Sequence, residues 1–233
     1  MKNLKNKILK LSVFVLSISV LTSCSKHKEV SEADAVALIE SSLEKDTYGV
    51  SEMITKYSEQ IVDEIASYPC AEYDTSYNFS HVGNIIEANY DINWNYTLNC
   101  NMGVPSTIDL EASTAGTYST NRVNSNDNSL TNLNITGVEP NETSLVFNGN
   151  LNRDGNQSFI MGSKIRDVSS SISIIVSDIS VNKSSLEIES GTGTVALSVD
   201  NGNETFTFNG DIVFNGGGSA TLNINGNTYQ INL

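Results

Sequence analysis

The sequence predicts a mainly β protein with N-terminal helices, an α+β chain in which one or two amphipathic helices pack on a long-stranded antiparallel meander. That meander is either one curved sheet or a sandwich. Apolar residues recur at helical spacing only in the segment 31–68, and from about Ala71 onward the period shortens to two. Clusters of Asn, Gly and Asp then interrupt the alternation at short intervals, and short connections imply antiparallel neighbours.

The helical segment opens on Ser31-Glu32-Ala33-Asp34, a capping box, with Val30 and Ala35 spaced as a hydrophobic staple. Val36, Ile39 and Leu43 follow at helical spacing, and Tyr48-Gly49 marks a break. A second stripe runs through Val50, Met53, Ile54, Tyr57, Ile61 and Ile65, about four turns, with Ser51 expected as N-cap and Pro69 beyond its end. Glu52 and Lys56 are spaced for an exposed i, i+4 pair, a contribution of only ~0.3 kcal/mol.

The β region, 69–233, holds its clearest strand at Ile86 to Cys100, where Ile86, Ala88, Tyr90, Ile92, Trp94, Tyr96 and Leu98 alternate with acids, amides and Thr97. Strands usually run about five or six residues, so one this long is expected to contain a bend or bulge. Shorter alternating runs are expected at 108–112, 133–135, 145–151, 172–176, 195–199, 206–214, 222–224 and 229–233, a meander of about eight to ten strands. Asn152-Arg153-Asp154-Gly155, Asp200-Asn201-Gly202, Asn215 to Gly218 and Asn225-Gly226-Asn227 read as turns. The stretches 141–155 and 203–216 share an Asn-Glu-Thr start and a Phe-Asn-Gly centre, the pattern of two similar hairpins. The apolar faces need a cover, and the stripe from Val50 to Ile65 is the first candidate, laid across the concave side.

Residues 1–23 differ from everything after them. Lys2, Lys5, Lys7 and Lys10 precede an apolar run from Leu11 to Val20, and Leu21-Thr22-Ser23-Cys24 closes the segment. The run is about half the ~20 apolar residues a spanning helix needs, so a cleaved leader is expected. The closing tetrapeptide resembles the lipobox of bacterial lipoproteins, and the chain is similar in this respect to envelope lipoproteins of the Bacteroidota type. The resemblance implies cleavage before Cys24, lipidation of Cys24, residues 24–30 as a tether, and the membrane as partner through acyl chains, each buried methylene contributing about 0.8 kcal/mol. Ser25 stands where an aspartate signals inner-membrane retention in many bacteria, which implies the outer membrane. Lys26, His27 and Lys28 depart from the acidic stretch that some surface-exported lipoproteins carry, leaving both the periplasmic and the surface side open.

Without the four leader lysines, nine basic residues face 27 acids, a formal charge of −18. Such a balance repels phosphate backbones and argues against nucleic acid as partner. Cys70 and Cys100 remain as an even pair and are expected to form a disulfide in an oxidising compartment. A loop of 30 residues closed this way contributes about 3 kcal/mol in the chain-entropy picture.

Chemistry-bearing patterns are sparse. His81 is the one histidine of the folded region, and the set offers no Ser-His-Asp, Cys-His, HExxH or phosphate-loop arrangement, so neither catalytic residue, metal nor cofactor is expected. Asp91 or Glu87 beside Trp94 and Tyr96 marks where a glycan-acting carboxylate pair would sit. Asn124, Asn126, Asp127 and Asn128, and separately Asp200, Asn203 and Glu204, crowd oxygen ligands without the twelve-residue calcium loop, and turn formation accounts for both. Tyr90, Trp94 and Tyr96 share one strand face and are either core or the contact residues of an apolar ligand or sugar. Periplasmic lipoprotein carriers are similar in architecture, pairing a curved sheet with covering helices, though a shared fold does not establish function. Three functions are therefore compatible with the residues. The first is a non-catalytic envelope lipoprotein that binds, adheres or supports through its Asn-rich surface, with an envelope protein or glycan as partner. The second is a carrier or sensor of an apolar ligand, and the third a glycan hydrolase.

Overall fold

The computed structural model describes residues 29–63, 69–161 and 164–233. Cys24, the leader, most of the tether and Ile65 lie outside the described residues. Two helices, α1 (Glu32–Leu43) and α2 (Val50–Asp63), precede ten strands. These are β1 (Glu72–Val82), β2 (Glu87–Asn101), β3 (Val104–Ser119), β4 (Val123–Thr136), β5 (Ser144–Met161), β6 (Lys164–Asn182), β7 (Ile188–Asp200), β8 (Thr205–Gly216), β9 (Ser219–Ile224) and β10 (Asn227–Asn232). All ten form one antiparallel sheet in sequence order, an open meander in which β1 pairs only with β2 and β10 only with β9. The single curved sheet, not the sandwich, is thus the solution adopted.

The capping box forms as expected: the Asp34 amide donates to Ser31 Oγ at 3.3 Å, and the Ser31 amide donates to Asp34 Oδ2 at 3.0 Å. Val30 and Ala35 are both buried beside it. The second helix starts one residue earlier than its expected cap, because the Gly49 carbonyl, not Ser51, accepts the Met53 amide at 3.1 Å. Lys56 bonds Glu59 at 2.8 Å rather than Glu52, a pairing one residue closer along the same face.

The helices fill the hollow of the sheet. Val50, Met53, Ile54, Tyr57 and Ile61 of α2 are buried, and Tyr57 meets the Trp94 ring edge-on at 4.4 Å. Tyr48, between the helices, lies 5.1 Å from Phe79 of β1, while Glu32 of α1 accepts hydrogen bonds from Asn225, Asn227 and Tyr229 at the opposite edge. One pair of helices therefore touches both margins, which requires the sheet to curl around it. Register shifts in β2, β5, β6 and β8 add the local bend and twist that such curling needs. The shift in β2 falls at Asn99/Cys100, near its end, where the Cys70–Cys100 disulfide (Cα to Cα 5.9 Å) ties the base of the β1–β2 hairpin.

Two expected loops are strands. Asn124 to Asn128 belongs to β4, and Asn152 to Gly155 lies in the middle of β5, so the first of the two similar stretches is not a hairpin turn. Turn-forming residues stay extended here because their neighbours on both sides hold them in register, and the side chains described below need that register. Most strands also outrun the expected apolar runs, since Ser, Thr, Gly and Asn continue them without an apolar signal.

Candidate functional site

The two faces of the sheet differ in chemistry. On the inner face, Tyr90 of β2, Gly116 of β3, Asp127 of β4 and Gly155 of β5 stand in one lateral row. A Cβ at Gly116 would lie 2.5 Å from the Tyr90 ring, and one at Gly155 would lie 2.7 Å from the Asp127 Cβ, so both positions need glycine for the larger side chains to lie across them. Arg153 Nε donates to Asp127 Oδ1 at 2.8 Å, Tyr90 donates to the same carboxylate at 3.1 Å, and Ser125 Oγ donates at 2.7 Å. Arg153 continues into the helical layer, donating to the carbonyls of Ser41 at 3.1 Å and Thr47 at 3.3 Å. Its guanidinium also lies over the rings of Tyr90 and Tyr118. Burial lowers the Arg153 pKa, but Asp127, Tyr90 and Tyr118 more than reverse this, so the guanidinium stays charged.

This cluster locks the α1–α2 connection to the centre of the sheet. All three Arg153 guanidinium nitrogens donate to protein acceptors, while Gln157, which donates to Ser125 Oγ at 3.2 Å, keeps its buried Oε1 without a protein partner. Burial pushes the hydroxyls of Tyr48, Tyr77 and Tyr90 well above the ordinary tyrosine range, so they act as protonated donors.

Tyr90, Trp94 and Tyr96 share the inner face of β2, as the alternation requires, and all three are buried. Their surroundings are protein: Tyr90 meets Arg153 and Asp127, Trp94 meets Tyr57 and Tyr77, and Tyr96 stacks on Tyr73 at 5.3 Å. Glu87 and Asp91 point out of the opposite face, away from the aromatic row, and Asp91 accepts from Asn78. His81 lies 3.5 Å from Asp46, between the helical connection and β1. Asp127 points inward while Asn124, Asn126 and Asn128 point outward, so those four oxygens do not converge on a cation. At the other acidic turn, Asp200 accepts the Gly202 amide at 2.6 Å, and Asn201 accepts the amides of Asn203 at 3.0 Å and Glu204 at 2.9 Å. Among the described residues, no group of three or more His, Cys, Asp or Glu side chains is placed to hold a metal ion.

The outer face is dominated by amides, hydroxyls and carboxylates, with Leu130, Ile175 and Val213 as exposed apolar residues among them, Leu130 at the first cleft described below. One lateral row crosses all ten strands as Asp74, Asn95, Glu111, Asn132, Asn150, Ile175, Thr194, Asp211, Asn223 and Thr228. Polar residues out and apolar residues in is the reverse of a membrane barrel. Two adjoining clefts of about 430 and 520 Å³ open on this face over β1–β5 and share Asn95, Glu111 and Asn132. Glu72, Asp74 and Asp109 add carboxylates, and Asp109 is held by Asn99 and Asn134, each at 2.8 Å. The clefts therefore present acceptors backed by amides that both donate and accept, a surface suited to hydrogen-bonding or cationic groups. The expected aromatic row faces inward whereas the clefts open outward, and of its three residues Trp94 alone also borders the first cleft. No protein-family model, curated protein or solved structure matches this chain, so its function is argued from these residues.

Proposed function

We propose that the chain is a non-catalytic lipoprotein of the bacterial envelope, anchored at the outer membrane through Cys24, that binds its partner with the outer face of the sheet. The supporting observation is the division of labour between the two faces. The inner one is occupied by α1, α2 and the buried Asp127–Arg153 pair, whereas the two adjoining clefts open on the polar outer one. A partner rich in hydroxyls or positive charge, such as an envelope glycan or a basic protein surface, matches Asn95, Glu111 and Asn132.

The test uses the mature chain with Cys24→Ala, which removes the lipid and keeps the fold, titrated against purified envelope polysaccharide and peptidoglycan. Binding is expected, with loss of at least about tenfold in affinity, roughly 1.4 kcal/mol, for Glu111→Lys combined with Asn132→Lys. Equal binding by the unaltered chain and the double variant would refute the outer-face assignment. Loss of lipid label in Cys24→Ala, grown with a radioactive fatty acid, is the expected result for the anchor; undiminished labelling would refute it.

A further inference from the structure

We infer that the free edge of β1 pairs with the β1 edge of a second copy of this chain, joining the two sheets antiparallel about a two-fold axis. This goes beyond the function proposed above and does not depend on the lipid anchor.

The ladder fixes what that edge offers. The Leu98 amide donates to the Ala71 carbonyl at 2.9 Å and the Gly83 amide to the Ile86 carbonyl at 2.8 Å, one bond at each end of β1. Bonded positions alternate in an antiparallel ladder, so the odd-numbered residues of β1 turn their backbone groups to β2. Glu72, Asp74, Ser76, Asn78, Ser80 and Val82 turn theirs away, and among the described residues no other backbone group pairs with them. A row of donors and acceptors at this spacing is a template for an extended strand.

The edge is open to solvent. Tyr73, Tyr77 and Phe79 on its inner face are only half-buried, whereas Tyr90, Ile92 and Trp94 in the adjoining β2 are buried. β1 also runs eleven residues without a proline, a lysine, an arginine or a register shift, features that keep long edges from pairing. The opposite margin differs: β10 has six residues, and its Asn227 and Tyr229 side chains are held by Glu32.

Self-complementarity selects a second copy as the occupant. Full overlap of two β1 strands puts Tyr77 on the two-fold axis and sets residue 72 opposite 82, 74 opposite 80 and 76 opposite 78. These are the residues whose backbone groups point outward, so each pair exchanges two hydrogen bonds. The two acids of β1 lie together at one end, and antiparallel pairing sets Glu72 against Val82 and Asp74 against Ser80, so no like charges are directly opposed. On the inner face Tyr77 meets Tyr77 and Phe79 meets Thr75, which covers the half-buried rings. Opposed residues share a face, so the polar outer face continues across the seam and the clefts lined by Glu72 and Asp74 in the two copies come side by side. Pairing with β10 of another copy would engage six residues and leave free edges at both ends, building an open filament in place of a closed dimer.

The test is sedimentation equilibrium of the mature chain with Cys24→Ala, up to about 1 mM and at 0.15 M salt, where a Debye length of about 8 Å screens the overall acidity. A monomer–dimer equilibrium that saturates at two chains is expected. Ser80→Lys, opposite Asp74 of the second copy, is expected to tighten it, and Ser80→Asp to loosen it, each by about twofold to thirtyfold because two such pairs form per dimer. Ser76→Pro removes an outward N–H and no bond to β2, and is expected to abolish the dimer while circular dichroism stays that of the parent. A chain that remains monomeric, a mass that grows without saturating, or a dimer whose affinity is unchanged or moves the same way in both Ser80 variants overturns the inference. Each of these results leaves the outer-face and anchor assignments standing, since those are read by glycan binding and lipid labelling.

Discussion

Asp127 and Arg153 show how a single residue type can be dictated by a partner distant in sequence. Both side chains are almost fully buried. Removing one partner strands the other charge in low dielectric, which costs about 3–5 kcal/mol, whereas replacing both with apolar residues of similar volume is often neutral. Arg153→Met is therefore expected to lower unfolding free energy by roughly that amount, and Asp127→Leu with Arg153→Met by less than the single change. Denaturant unfolding of the three chains checks this, and a double variant weaker than Arg153→Met would contradict it. In sequence, Arg153 sits in Asn-Arg-Asp-Gly, a turn by every local rule, and only the carboxylate across the ladder makes it strand. The usable signal was polar: Asn124, Asn126, Asn128, Asn132 and Asn134 alternate with period two although the inward Ser125, Asp127, Ser129 and Thr131 have no apolar rhythm. Tyr90, Trp94 and Tyr96 were legible as one face, but burial against Tyr57 and Arg153 depends on contacts no local pattern encodes.

At the level of elements, the helices are legible in the sequence because caps and periodicity are local. α1 begins at its capping box, and the buried positions of α2 follow the stripe from Val50 to Ile61. Strand ends are less legible, since Ser- and Gly-rich stretches such as those of β6 and β7 extend a strand only when a neighbour supplies the ladder. The C-terminus of α1 carries a local conflict that the sequence does show. Its last turn has no basic residue, and its C-cap is Glu44, an acid at the negative end of the helix dipole. Burial pushes the Glu44 carboxyl up to about 7, with Glu40 and Asp46 adding repulsion. A carboxyl raised above its unfolded value holds its proton longer in the native state, so its stabilising effect is present at low pH and is lost as pH rises from about 4.5 to about 7. Glu44→Gln is expected to flatten the stability profile across that window and to leave the variant the more stable chain at pH 7.5. Urea midpoints measured from pH 4.5 to 7.5 decide it, and parallel profiles for the two chains would show that Glu44 does not titrate there.

For the molecule as a whole, connectivity sets the order in which contacts can form. Nine of the ten strands pair with the strand that precedes them, so the sheet can grow by adding hairpins with short loops to close. The helices obey a different rule. Glu32, near the start of the described chain, binds Asn225, Asn227 and Tyr229, residues 193 to 197 positions away. Those bonds lower the Glu32 pKa through the Tyr229 hydroxyl first and the two amides after it, which shows that the carboxylate form is the one held. A contact of such separation forms only after β9 and β10 have joined the edge, so it belongs to the native state and not to the folding transition state. Glu32→Gln is therefore expected to speed unfolding while leaving the refolding rate nearly unchanged, the behaviour of a low-φ position. Arg153→Met, whose ion-pair partner Asp127 lies in the adjacent central strand, is expected to slow refolding as well. Stopped-flow chevrons of both variants discriminate the two cases. Equal slowing of refolding by Glu32→Gln would mean that the helices wrap the last hairpin before the sheet is complete, and that the curl of the sheet is imposed by the helices from the start.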